Sequence, residues 1–200
     1  MNGPDTRPAP ERITGVVLAG GQGSRMGGVD KGLVVLRDKP MVEWVIERFA
    51  PQVDELIINA NQNTERYAAF GYPVFADAIG GFAGPLAGLH AALGRAAHPL
   101  VATAPCDSPF LPTDLVARLH DALRANDAQL AVARTFDQPH PVFCLCRRDV
   151  RAHLDAFLAA GGRKIDRWYA TLAIVEVRFD DQEAAFRNIN TREELDALER

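Results

Sequence analysis

The stretch Leu18-Ala19-Gly20-Gly21-Gln22-Gly23-Ser24-Arg25-Met26-Gly27-Gly28-Val29-Asp30-Lys31-Gly32 continues the apolar run Ile13-Thr14-Gly15-Val16-Val17. An apolar strand that opens into a loop with six glycines, one arginine and one lysine is suited to wrapping an anion. Glycines let the backbone approach a ligand closely and turn its N–H groups toward phosphate oxygens. Arg25 and Lys31 add full positive charges that amides cannot supply. The loop therefore reads as a cradle for a nucleoside triphosphate. Two common cradles are excluded. A Walker A loop needs Gly-Lys-Ser/Thr, but Lys31 is followed by Gly32. The dinucleotide pattern G-x-G-x-x-G starts at Gly21 and Gly23 and then meets Met26.

Beyond the loop, apolar runs of strand length alternate with helical periodicity, which predicts an α/β layered fold with a mostly parallel sheet. Strands are expected at 13–18, 55–60, 72–76, 100–104, 129–133, 142–146 and 174–179, with a short extended piece at 33–36. Pro40 suits a first helical position, with Met41, Trp44, Val45 and Phe49 on one face until Pro51. Pro85 opens a small-residue helix, and Thr113 is the expected N-cap of another. A fourth helical stretch, 150–160, stops at Gly161-Gly162. Thr191 and Glu194 have the spacing of a capping box for the last helix.

With 200 residues, 48% apolar and 24% charged, the chain fits one soluble domain that buries roughly 70% of its unfolded surface. Residues 1–12 carry three prolines and no apolar core, so they read as a disordered tail before a domain spanning 13–200. A net charge of −4 argues against a nucleic-acid partner and requires that positive charge be concentrated locally, with metal ions helping. No run reaches membrane-spanning length, and three cysteines suit a reducing cytoplasm. Cys106, His140, Cys144 and Cys146 lack the Cys-x₂-Cys spacing of a zinc site.

Ligands of open α/β sheets bind beyond the carboxyl ends of the strands. Gly20, Asn59, Asn61, Asp77 and Asp107 fall there. Asp107, in Ala104-Pro105-Cys106-Asp107-Ser108-Pro109, is the best-placed acid for Mg²⁺, which takes one or two carboxylates plus substrate phosphates; the alternative is a turn cap for Ser108. Asp77 is suited either to the donor pair of a guanine or to ribose hydroxyls, or it simply ends its strand. Arg163 and Lys164 form a basic pair suited to a phosphate, or a solvated surface.

The pattern L-A-G-G-x-x-x-R-M-G-x-x-x-K, with D-S-P-F-L-P and N-I-N-T downstream, resembles the nucleotidyltransferases that move a nucleotidyl group onto a phosphorylated acceptor, and within them the molybdenum cofactor guanylyltransferase (MobA) family. The resemblance runs from Ile13 onward and implies a single Rossmann-like three-layer nucleotidyltransferase domain. It implies GMP transfer from GTP to the terminal phosphate of molybdopterin, with Mg²⁺. It carries over Leu18, Ala19, Gly20, Lys31, Asn59, Asp77 and Asp107 as nucleotide-binding positions and Asp107 as the magnesium ligand. Gly21 joins them through the amides of 19–23. For such a transfer Lys31 suits the α-phosphate and Arg25 the departing β- and γ-phosphates. His140 matches a His-Pro of the family and is expected in the pterin pocket. Asn188 is expected near the acceptor and Asn190 at the metal, although Asn before a helix is also an ordinary cap. Gly84-Pro85-Leu86-Ala87-Gly88 matches a family turn. The expected partners are GTP and molybdopterin, with transient contact to molybdoenzyme maturation proteins, in a monomer. The rival readings are a molybdopterin cytidylyltransferase, which tends to carry L-A-A-G here, and a non-catalytic carrier of GTP or pterin.

Overall fold

The apolar run Ile13–Leu18 (β1) becomes a strand flanked on both sides by parallel neighbours, β4 (Glu55–Asn59) and β6 (Leu100–Pro105). The computed structural model describes residues 11–19, 30–78, 84–189 and 194–195. Outward from β4 lies β5 (Val74–Phe75); outward from β6 lie β8 (Gln138–Arg147), β7 (Leu130–Thr135) and β9 (Ile174–Arg178). Among the described residues the sheet has seven strands in the order β5-β4-β1-β6-β8-β7-β9. Only β8 runs against the others, pairing antiparallel with both β6 and β7. A two-stranded ribbon, β2 (Val35–Leu36) with β3 (Lys39–Pro40), stands apart.

Alternation along the strands divides the core into two layers. Val17, Leu56, Ile58, Ala102 and Ala104 face the helices α1 (Met41–Phe49) and α4 (Leu115–Ala125). Val16, Ile57, Val101 and Val132 face α3 (Pro85–Arg95), α5 (Arg151–Ala159) and α6 (Ile165–Tyr169). The result is the expected three-layer arrangement. Among the described residues no helix is long and apolar enough to cross a membrane.

Several local expectations change. Pro40 is the last residue of β3 rather than the first of α1, and only Val35–Leu36 of the extended piece is strand, after a 3₁₀ turn at Lys31–Leu33. The third strand shortens to two residues. Thr113 is not the cap of α4; Asp114 holds that position, and its carboxylate turns instead to Arg118 and Gln182. Two single-turn helices, α2 (Thr64–Ala68) and α6, were not anticipated, being too short to show a period. Gly20, Gly21, Arg25, Asn190 and the Thr191 capping box lie outside the described residues.

Candidate active site

Chain direction reverses its sideways progress at β1: successive strands run out to β5 on one side, and the chain then returns to build β6 on the other. A crevice opens at the carboxyl ends of two strands where such a reversal occurs. The glycine-rich loop leaves β1 there, and the segment Cys106-Asp107-Ser108 leaves β6 beside it. Lys31 at the far end of the loop and Asp107 after β6 meet across this crevice, Nζ to Oδ2 3.3 Å. Both side chains are largely shielded, with 22% and 11% of their surface exposed. Burial pushes the Asp107 carboxyl up from its ordinary value, and the Lys31 ammonium pulls it partly back.

Three contacts fix Lys31. Asp30 accepts hydrogen bonds from Tyr67 Oη (2.5 Å) and Asn63 Nδ2 (2.9 Å). Gly32 passes so close to Tyr67 and Cys106 that a Cβ there would sit 2.5 Å from Tyr67 Oη and 3.0 Å from the Cys106 Sγ. The lysine is thus held between a tethered aspartate and a residue that must lack a side chain. Tyr67 is fully buried, and desolvation, the nearby Cys106 and Asp30 all hold its phenol protonated, as a donor should be. Asp30, Asn63 and Tyr67 escaped the sequence reading. A tyrosine in a one-turn helix carries no motif, and only its partner's position next to Lys31 marked it.

On the other flank of β1, Ala19 N–H donates to Asn59 O (2.8 Å), and Cys106 N–H donates to Leu18 O (3.1 Å), so both strand ends stay zipped beyond the formal strands. Asn59 is buried and directs its amide to Asp77 Oδ1 (3.0 Å). Asn61 donates to Asp77 Oδ2 (2.9 Å) and accepts from the Asp77 N–H (2.9 Å). Asp77, half-buried, is therefore held at both oxygens. Helix α3 comes in against this triad at Gly88, where a Cβ would lie 2.6 Å from Asn59 Oδ1 and 2.9 Å from Leu18 Cδ2. Gly88→Ala is expected to push Asn59 off Asp77 and raise the KM for the nucleotide severalfold while changing kcat less, as steady-state kinetics against nucleotide concentration would read. Unchanged nucleotide KM would remove Asn59 and Asp77 from the nucleotide site.

A cavity of about 380 Å³ opens beside the Asp107 segment. Its walls include Pro105, Thr135, His140, Phe143, Phe186 and Asn188. A register shift in the β7–β8 pair shapes it. Val132 pairs with Cys144, but the next residue, Ala133, pairs with His140, so Pro141, Val142 and Phe143 form a bulge. Two carbonyls freed by the bulge accept bonds from buried side chains: Tyr169 Oη to Pro141 O (2.6 Å) and Thr103 Oγ1 to Val142 O (2.6 Å). His140 stacks on Phe186 at 4.7 Å between centroids and shares a 2.8 Å hydrogen bond between Nε2 and Thr135 Oγ1. Burial lowers its pKa, favouring a neutral ring near pH 7. Asn188 Oδ1 accepts from Ser108 Oγ (2.8 Å), and Ile189 N–H donates to Asp107 O (3.0 Å), which ties this wall to the metal-candidate turn.

The structure thus brings Lys31, Asp107, Asn188 and His140 to one crevice and its adjoining cavity. Arg163 and Lys164 are exposed and do not line that cavity; the Arg163 guanidinium donates to the Leu158 and Gly162 carbonyls at the end of α5. Thr135 and Phe186, which set the orientation of His140, were also missed. Phe186 sits in a 3₁₀ segment (Asp180–Phe186) whose sequence shows no periodicity.

A lysine and a desolvated carboxylate that meet at the reversal point of such a sheet fit an α/β domain that handles nucleotide phosphates. The profile of the MobA-like NTP transferase domain matches residues 15–175, and the chain belongs to that family. It is 53% identical over 196 residues, covering 96% of this chain and 98% of the relative, to the molybdenum cofactor guanylyltransferase of Cupriavidus taiwanensis. It is 52% identical over 187 residues to that of Shewanella amazonensis, covering 94% and 95%. Among solved structures, the molybdopterin-guanine dinucleotide biosynthesis protein A of Archaeoglobus fulgidus superposes with a TM-score of 0.77 at 25% identity, covering 93% and 96%. The 4-diphosphocytidyl-2C-methyl-D-erythritol synthase of Anaerococcus prevotii shares the fold, with a TM-score of 0.72 at 12% identity, covering 94% and 95%.

Proposed function

We propose that the chain acts as a molybdenum cofactor guanylyltransferase: it transfers GMP from GTP to the terminal phosphate of molybdopterin, giving the guanine dinucleotide and pyrophosphate. The observation that carries this reading is the Lys31–Asp107 pair set directly beside the cavity of His140 and Asn188. Curated relatives about half identical over nearly their whole length bear that name, which supports the choice of substrates.

In this reaction an oxygen of the acceptor phosphate attacks the α-phosphorus of GTP, and the bond to the β-phosphate oxygen breaks. Position and positive charge supply most of the rate, since the protein forms no covalent bond. Lys31 neutralises the α-phosphate oxygens, where charge builds as the fifth oxygen approaches. The loop amides of 19–23 hold the triphosphate, with Gly20 and Gly21 nearest the strand, and Arg25 faces the departing pyrophosphate. Asp77, steadied by Asn59 and Asn61, receives either the guanine donors or the ribose. His140 and Asn188 take the acceptor; Arg163 and Lys164, which do not line their cavity, are left out of its binding.

The residues present fit a magnesium ion. Asp107 is a carboxylate made less acidic by burial, with oxygen donors that a hard cation prefers; Asn190, outside the described residues, is proposed as the second ligand. Bound there, the ion would neutralise charge on the triphosphate. The protein is expected to work as a cytoplasmic monomer that passes its product to molybdoenzyme maturation proteins.

The test is turnover with molybdopterin, Mg²⁺ and each of GTP, CTP, ATP and UTP, following dinucleotide and pyrophosphate together. Product from GTP alone is expected. Product from CTP would overturn the base assignment, and GTP binding without product from any nucleotide would point to a carrier.

A further inference from the structure

The β7–β8 hairpin closes through Phe136 and Asp137, between the paired residues Thr135 and Gln138. Two-residue hairpin turns that need a positive φ at the first central position ordinarily place glycine there. Here the position belongs to a phenylalanine with φ +48, a backbone state costly for a bulky side chain. The ring gains no burial in return, since 52% of the residue is exposed. Such strained residues persist where surrounding structure over-determines them and function uses them.

The surroundings do over-determine it. Arg134 donates to Phe136 O from Nε (2.9 Å) and Nη2 (2.6 Å), and its Nη1 is anchored on Glu176 (2.5 Å). The Phe136 N–H donates to Asp180 Oδ1 (2.5 Å). Asp180 begins the 3₁₀ segment that supplies Phe186 to the cavity wall, and Thr135 and Gln138, flanking Phe136, line the same cavity. The backbone of Phe136 is therefore clamped between the cavity-lining Thr135 and Gln138 and tied through Asp180 to the segment that carries Phe186. A clamp on each backbone polar group holds an otherwise unfavourable aromatic residue in one place.

We propose that Phe136 is a specificity-determining residue for the acceptor, its ring covering the flat heteroaromatic end of molybdopterin seated against His140. This rests on the acceptor assignment made above. With the acceptor's phosphate at the Lys31–Asp107 crevice, its ring end extends along the cavity toward the hairpin. A planar ligand there presents a π-face to the rim, and an aromatic side chain is the partner that such a face binds.

The experiment is steady-state kinetics and thermal melting on Phe136→Gly and Phe136→Tyr, with molybdopterin and GTP varied separately. Phe136→Gly is expected to raise the KM for molybdopterin about tenfold or more, leave the KM for GTP unchanged, and melt no lower than the parent because the strain is relieved. Phe136→Tyr is expected to keep the parental KM for molybdopterin. Parental molybdopterin KM in Phe136→Gly, or KM values for both substrates rising together, would overturn the proposal and leave the guanylyltransferase reading standing. A parent protein that modifies no molybdopterin with any nucleotide would overturn both.

Discussion

Lys31→Ala is expected to lower kcat for dinucleotide formation by at least about 10²-fold, the scale seen when one preorganised charge-stabilising group is lost. Its placement argues for so large an effect. Asp30 is held by Tyr67 and Asn63, Gly32 is wedged against Tyr67 and Cys106, and the ammonium lies 3.3 Å from Asp107. A group fixed in this way needs no reorganisation as charge develops. Lys31→Arg is expected to rescue poorly, because a planar fork cannot occupy the space of a compact ammonium. The same kinetics, with far-ultraviolet circular dichroism to check folding, decide the matter. A folded Lys31→Ala protein with parental turnover would remove Lys31 from the catalytic machinery.

Asp107→Asn is expected to lose turnover to a similar extent while becoming more stable near neutral pH. Burial raises the Asp107 pKa in the folded protein above its ordinary 3.8, and Lys31 offsets only part of that rise. The folded state therefore holds this proton more tightly than the unfolded chain does. It follows that this carboxyl favours folding most when protonated. Its contribution declines as pH rises from 3.8 through the higher folded pKa, and the loss persists at pH 7. Asparagine has no charge to desolvate, so the melting temperature at pH 7 should rise above the parent's. The difference should shrink as pH falls below the folded pKa. Thermal melts of both proteins between pH 4 and about 8 would test the sign. A lower melting temperature for Asp107→Asn at pH 7 would mean that the Lys31 ion pair outweighs the desolvation.

Much of the Lys31–Asp107 crevice was legible in the sequence, because its residues lie in contiguous motifs at strand ends. β1 and the Pro105–Asp107 turn could be read directly, because the parallel strands that carry them are mostly apolar and almost wholly buried. The cavity around His140 was harder for physical reasons. Its hairpin lacks the Asn-Gly or Asp-Gly that marks such turns, with phenylalanine in the strained position, so two strands were expected but not their antiparallel pairing. The bulge at Pro141–Phe143 depends on pairing between strands, which no local pattern encodes. Phe186 reaches the cavity from a 3₁₀ segment with a break in its backbone at Gln182. His140 and Asn188 were found only through their resemblance to family positions.

The single antiparallel strand has a consequence for how such a protein can change. β8 separates a parallel block, which carries Lys31, Asn59, Asp77 and Asp107, from the outer strands β7 and β9. The cavity depends on extra residues in β8 at one point of its pairing with β7, while its pairing with β6 runs in unbroken register from Leu100 to Thr103. Lengthening or shortening that bulge would therefore reshape the cavity proposed for the acceptor without disturbing the parallel strands beside the Lys31–Asp107 pair. An ancestral lineage could exchange acceptors by local insertion in β8 and keep its nucleotide chemistry intact.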